Sequence, residues 1–283
     1  MSRQPPVKSK SGLVVLGSAP SAAPGVVWLV GAGPGDPELL TLKALRVLGT
    51  AEVVVHDGLV SDEVLDLAPR GARRISVAKR KSRHSYAQEE INKMLVAFAR
   101  EGLTVVRLKG GDPFMFGRGG EELEACREAG IDCQVVPGVT AALAASAGAG
   151  APLTHRGFAQ AVTFVTGHAA AGVDPDLDWA SLARANQTVV IYMGLSTAAT
   201  IAARLMEAGR VGSTPALIVE NASRPDERRI TTTLGELAVA AKAVTGPALL
   251  IVGEAMAMAL PQLTAACDPS ALAGEGGRQG AVG

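Results

Sequence analysis

The chain has 283 residues, 48% of them hydrophobic, with 33 Gly and only 19% charged residues, which suits one large or two small α/β domains and argues against disorder. Lys+Arg and Asp+Glu balance at 27 each, so no overall field points to nucleic acid or to a membrane surface. No apolar run reaches the about 20 residues of a membrane span.

Residues 1–25, rich in Ser, Pro and Ala, read as a flexible tail, because their apolar run at 13–16 is short for a secretion signal. From there strand and helix patterns alternate. GVVWLVGAG is a predicted strand, PELLTLKALRVLGTA carries apolar residues at helical spacing, and EVVVHD is a second strand. EEINKMLVAFAREG reads as a helix ending at Gly102, TVVRLKGGD as a strand, GGEELEACREAG as a helix and DCQVVPG as a strand. That is the signature of a mostly parallel sheet. VTAALAASAGAGAPLTHRG then reads as an Ala/Gly-rich helix and loop crossing between domains. QAVTFVTGH, QTVVIYMG and TPALIVEN are strands, with the helix STAATIAARLMEAG between the last two. ERRITTTLGEL is a strand turning into a helix, and GPALLIVGEA is the last strand. Residues 261–283, rich in Ala and Gly, read as a second flexible tail. The expected architecture is two α/β domains, 26–138 and 139–260, with the site in the cleft between them.

The first turn, GAGPGDP, begins like a dinucleotide fingerprint and then departs from it. Gly31, Gly33 and Gly35 give GxGxG, and Asp36 holds the position of the third fingerprint glycine. Pro34 removes a backbone N–H and Asp36 adds negative charge where a pyrophosphate would sit, so an NAD-dependent oxidoreductase is disfavoured. Asp57 closes the second strand where a ribose-binding acid belongs, and so prolongs the mimicry. Locally, Asp36 reads as an N-cap with Pro37 at the first helical position. The device recurs in LKGGDPFMFGRGGEE, where Gly110, Gly111, Asp112 and Pro113 follow a strand. Two Gly-Asp-Pro turns at strand ends favour a nucleoside-type ligand, with Asp112 able to accept from ribose hydroxyls or an ammonium.

Three cysteines, Cys126, Cys133 and Cys267, show no CxxC spacing, so neither a disulfide framework nor a zinc site is expected. A reduced, cytoplasmic protein without a metal is the expectation. In an otherwise neutral chain, residues 70–84 carry Arg70, Arg73, Arg74, Lys79, Arg80, Lys81 and Arg83 with no acid among them. Such a cluster suits a polyanion, or is a solvated loop face.

VGAGPGDPELLTLKA, VVVHDGLVSDE, RLKGGDPFMFGRGGEE, VVPGVTAA, APLTHRG and YMG, in that order, resemble successive motifs of the tetrapyrrole methylases. The GDPFMFGRGGEE and PLTHRG segments are most similar to the uroporphyrinogen-III C-methyltransferase branch, and the likeness spans roughly residues 26–260. The resemblance implies a homodimer of two-domain α/β chains with S-adenosylmethionine in the interdomain cleft and S-adenosylhomocysteine as product. It implies methylation of uroporphyrinogen III at C-2 and C-7, giving precorrin-2 for cobalamin or sirohaem. By the same resemblance the cofactor is lined by Pro34, Gly110, Gly111, Asp112, Met115, Thr140, Ala141, Met193, Ala222, Pro247 and Ala248. Asp57 matches the family's proton acceptor and Lys79 its proton donor. Gly58 departs from the pattern, since the family often carries Arg or another larger residue there. Arg80, Arg83, His84, Arg118 and Arg156 are the candidates for holding the substrate's carboxylates. Some proteins of this fold methylate ribosomal RNA, and the basic cluster fits that rival too. Aromatic residues at 3% leave few rings for base stacking, so no nucleic-acid partner is expected.

Overall fold

A computed structural model describes residues 24–78, 86–168 and 174–260. Lys79, Arg80, Arg83 and His84, Cys267, and nearly all of both expected tails lie outside the described residues.

The first half runs β1 (Val26–Gly31), α1 (Leu42–Leu48), β2 (Val53–His56), α2 (Asp62–Leu65), β3 (Arg73–Ser76), α3 (Gln88–Arg100), β4 (Val105–Lys109), α4 (Gly119–Glu128) and β5 (Asp132–Val136). Its strands form one parallel sheet in the order β3-β2-β4-β1-β5. Both faces of the sheet are covered, which is why its central strands are near-continuous runs of Val and Leu. Val27, Leu29, Val53 and Val55 pack with Leu95 of α3 and Cys126 of α4 on one face. Val30, Val54, Val106 and Leu108 pack with Val47 and Leu48 of α1 on the other.

Two expectations are corrected here. The helical pattern at 37–48 is not one helix. A 3-10 turn at Pro37–Leu39 is capped by Asp36, Leu40 is extended at ψ 142°, and α1 starts afresh with Thr41 as its cap. Two capping residues in quick succession give two helix starts. The stretch containing Arg73 and Arg74 is not a loop face but strand β3, paired with β2 at the edge of the sheet. Arg74 is held by Asp66 at 2.9 Å, and Arg73 lies over the Phe98 ring at 4.9 Å. Edge strands commonly carry charge, which protects them from further pairing.

The second half continues with α5 (Ala141–Ala149), β6 (Ala161–Thr166), α6 (Trp179–Leu182), β7 (Gln187–Tyr192), α7 (Ala198–Glu207), β8 (Pro215–Glu220), β9 (Arg228–Thr233), α8 (Leu237–Ala240) and β10 (Ala248–Val252). Its sheet has the order β6-β7-β10-β8-β9 and is mixed: only β6 and β7 are parallel. Because β10 is antiparallel to both its neighbours, its first residues lie beside the last residues of β7 and β8. Leu249 is opposite Tyr192 and Ala248 is opposite Glu220. Helix α5 presents Ala142, Ala145 and Ala149 to Val190, Leu217 and Ile251. Its small side chains let the helix lie close against the sheet.

Candidate active site

In the first half the site grows from the carboxyl ends of β1, β4, β2 and β5, where open parallel sheets place their ligands. The turn after β1 and the turn after β4 are stitched together by their own backbones. Gly111 N donates to Gly33 O at 2.7 Å, Gly33 N to Gly111 O at 3.2 Å, and Ala32 N to Lys109 O at 2.7 Å. Gly33 and Gly111 reach this pairing at φ +70° and +68°, left-handed backbone that favours glycine. A third turn, after β5, closes on the same point. A Cβ on Gly31 would fall 2.6 Å from Gly138 Cα, and one on Gly138 would fall 2.2 Å from the Gly111 carbonyl oxygen. Three backbones therefore touch where no side chain fits.

This geometry sharpens the case against a dinucleotide. The amides of Ala32 and Gly33, which a pyrophosphate would need, already donate within the protein. The expected N-cap is in place, since Glu38 N donates to Asp36 Oδ1 at 2.8 Å.

Two carboxylates organise the turns. Asp112 accepts from Phe114 N at 2.9 Å and, through its other oxygen, from Gly138 N at 3.0 Å, so it ties the β4 turn to the β5 turn. Asp57, at the end of β2, accepts from Leu59 N at 2.9 Å and from Gly110 N at 3.2 Å. Gly110 is required by closeness, because a Cβ there would fall 2.6 Å from the Leu59 Cβ. Under this edge lies a buried charged group. Glu122 of α4 accepts from Arg107 Nε at 3.0 Å and from Lys109 Nζ at 3.1 Å, and the three residues are at most 4% exposed. Burial, with the Arg107 charge alongside, holds the Lys109 ammonium below the ordinary lysine range, and Glu122 opposes that shift.

The second half meets these turns through Tyr192. Its hydroxyl lies 2.6 Å from Thr140 Oγ1 and accepts from Ala142 N at 3.2 Å, and its ring lies 5.0 Å from that of Phe116. Burial pushes its phenol above the usual tyrosine value. Met193 follows with a left-handed backbone at φ +54° and half its surface exposed. Ala222 is buried in the same apolar cluster as Ala141 and Tyr192. Asn221 N donates to Pro247 O at 2.9 Å, which brings the start of β10 to the same edge.

The expected cofactor residues thus fall on one edge of each sheet. Pro34, Gly110, Gly111, Asp112 and Met115 occupy the stitched turns, Thr140 and Ala141 follow the β5 turn, and Met193, Ala222, Pro247 and Ala248 line the facing strand ends. Arg118 has both its Nε and Nη2 engaged by Glu121, at 2.7 Å each. Arg156 is exposed in the turn closed by His155 and Ala159. Sequence reasoning did not single out Tyr192, Phe116, Ser223 or Arg224. The low aromatic content was the one signal that a ring at the end of a motif strand merited weight.

Comparison with known proteins agrees with this geometry. The family model described as Tetrapyrrole (Corrin/Porphyrin) Methylases matches residues 26–238. The chain is 56% identical over 236 residues to siroheme synthase 1 of Cronobacter sakazakii, covering 83% of this chain and 50% of that protein. Siroheme synthase 1 of Yersinia enterocolitica is 56% identical over 230 residues, 81% of this chain and 48% of that one. The chain therefore spans about half the length of the curated relatives it matches. Among solved structures, the uroporphyrin-III C-methyl transferase from Thermus thermophilus complexed with S-adenyl homocysteine is similar at 46% identity and TM-score 0.71, covering 82% of this chain and 99% of that one. A cobalt precorrin-4 methyltransferase, described as a cobalamin biosynthetic enzyme, is similar at 30% identity and TM-score 0.73, covering 81% and 95% of the two chains.

Proposed function

We infer the activity from one premise: the chain belongs to the tetrapyrrole (corrin/porphyrin) methylases. It methylates uroporphyrinogen III at C-2 and C-7, giving precorrin-2 by way of precorrin-1, on a route to sirohaem or cobalamin. The observation that carries this is the stitched glycine edge, which offers a ligand close backbone approach but withholds the amides a pyrophosphate requires. The residues fit a sulfonium nucleoside, because such a ligand needs a narrow, largely uncharged seat and no phosphate cradle. Gly110, Gly111, Asp112, Thr140 and Ala141 would hold it from one side, and Met193, Ala222, Pro247 and Ala248 from the other. S-adenosylmethionine, when bound, supplies an electrophilic methyl group on a positively charged sulfur.

The protein's own contribution is orientation and a proton sink. With S-adenosylmethionine bound, methylation of a ring carbon would leave the tetrapyrrole positively charged until it lost a proton. Asp57 takes that proton. Its two backbone hydrogen bonds, from Leu59 N and Gly110 N, fix where the carboxylate sits. Lys79 is the matching donor.

The halves 26–138 and 139–260 act as two domains around the cleft, and the active form is a homodimer in the cytoplasm. Free Cys126 and Cys133 accord with a reducing compartment. Light scattering should give twice the 28.8 kDa of one chain, and a single-chain mass rejects the dimer. Incubation with enzymically made uroporphyrinogen III and methyl-labelled S-adenosylmethionine tests the activity. Label in a dimethylated tetrapyrrole is expected; an unlabelled tetrapyrrole with label in added ribosomal RNA overturns it.

A further inference from the structure

A cleft of about 660 Å³ opens between the turn after β1, the loop after β2 and the β8–β9 connection. One of the side chains that reach across it is Arg224. Arg224 donates from a terminal guanidinium nitrogen to the carbonyl oxygen of Leu59. Its stem runs over Gly35, where a Cβ would fall 2.6 Å from Arg224 Cγ and 3.0 Å from its Nε. The neighbouring Ser223 Oγ accepts from Asp36 N at 3.2 Å. Two adjacent residues of the second half thus grip two different loops of the first.

The loop that carries them is held in an uncommon shape. Asn221 and Ser223 have φ of +52° and +63°, although neither is glycine. Asn221 Nδ2 donates to Asp226 Oδ2 at 2.8 Å, Ser223 N to Glu227 Oε2 at 2.6 Å and Arg224 N to Asn221 O at 3.0 Å. Such conformations persist where the surroundings over-determine them, and they cluster at functional sites.

Leu59 is the pivot. Its carbonyl receives Arg224, its N–H binds Asp57 Oδ1 at 2.9 Å, and its Cβ sits against Gly110, whose own N–H binds Asp57 Oδ2 at 3.2 Å. Arg224 thereby ties the backbone at Leu59, whose N–H reaches the Asp57 carboxylate, to the second half of the chain. Movement of the Leu59 loop would disturb both hydrogen bonds of the Asp57 carboxylate and the Gly110 turn together.

We propose that Arg224 is a positioning residue for methyl transfer, clamping the Leu59 loop from across the cleft so that Asp57 stays aimed at the proton it accepts. This rests on Asp57 being the proton acceptor of the activity proposed above. Loss of Arg224 frees the loop and misplaces the carboxylate, so turnover falls while cofactor affinity is kept.

Arg224→Ala should lower kcat roughly tenfold, with KM for uroporphyrinogen III and S-adenosylhomocysteine affinity each changed less than about twofold. Arg224→Lys, which keeps a cationic donor, should recover most of the rate. An unchanged kcat overturns the proposal, and so does a rise in KM alone, which would make Arg224 a substrate contact. If circular dichroism shows that Arg224→Ala does not fold, Arg224→Gln is judged by the same readouts. Wild-type chain that methylates no tetrapyrrole fails the underlying activity; active wild type with variants of unchanged kcat fails only the clamp.

Discussion

Asp57 and Asp112 look alike in sequence, each an acid beside glycine at the end of a strand, yet the structure gives them different partners. Asp57 bonds within the β2 and β4 loops, whereas Asp112 fastens the β4 turn to Gly138. Asp57→Asn should therefore lower kcat about a hundredfold while sparing cofactor affinity. Asp112→Ala should weaken S-adenosylhomocysteine binding about tenfold, because one lost hydrogen bond to a charged group is worth roughly 1.5 kcal/mol or more. Isothermal titration beside steady-state kinetics separates the two, and equal loss of affinity in both variants contradicts this division. Both acids were singled out in the sequence, Asp112 by its Gly-Asp-Pro setting and Asp57 by its place at the end of the second strand, whereas the proton-acceptor role of Asp57 came only from the family resemblance. Tyr192 was not legible as the residue whose ring meets Phe116 of the first half. The two residues are far apart in the chain, so their contact depends on tertiary packing. Arg224 was hidden for the same reason, since its partner Leu59 lies 165 positions away.

At the scale of elements, strand periodicity and glycine punctuation carried most of the first sheet. What failed was local. Edge strand β3, short and led by two arginines, lacks the apolar run that marks its neighbours. The 3-10 turn before α1 hides inside a helical spacing, because caps rather than periodicity decide where a helix begins. The glycine stitch makes a firm demand on these elements. Gly138→Ala puts a Cβ 2.2 Å from the Gly111 carbonyl, so overpacking should cost about 2 kcal/mol of unfolding free energy in urea titration. A variant as stable as wild type would contradict the contact.

The second sheet has its own brace at Glu220, the last residue of β8. The Gly246 N–H above all, then the Thr245 N–H and Arg228, hold its carboxyl below the ordinary 4.5 despite opposing burial. A depressed folded value means the stabilisation is fully present above pH 4.5 and is lost as pH falls through that value. Glu220→Gln should therefore be less stable than wild type at neutral pH, with the gap closing on acidification below 4.5. A gap that is constant across that range contradicts the assignment.

For the whole molecule, two sheets of different topology each carry candidate site residues on one edge. The parallel sheet offers three glycine turns at its carboxyl edge, and the mixed sheet offers the ends of β7 and β8 beside the start of β10. The sequence pattern changes near residue 138, between the strands of the first sheet and those of the second. It could not show that β10 runs antiparallel, because strand direction depends on pairing partners rather than on local pattern. Nor could spacing tell a pyrophosphate cradle from its imitation. Pro34 and Asp36 counted against NAD in the sequence, and the structure adds that the Ala32 and Gly33 amides are already spent. Everything proposed for this chain depends on that edge seating a sulfonium nucleoside. Calorimetric titration of the full chain with S-adenosylhomocysteine and, separately, with NAD tests this most directly: saturable binding of S-adenosylhomocysteine with no heat from NAD is the predicted result, and binding of NAD alone would contradict it.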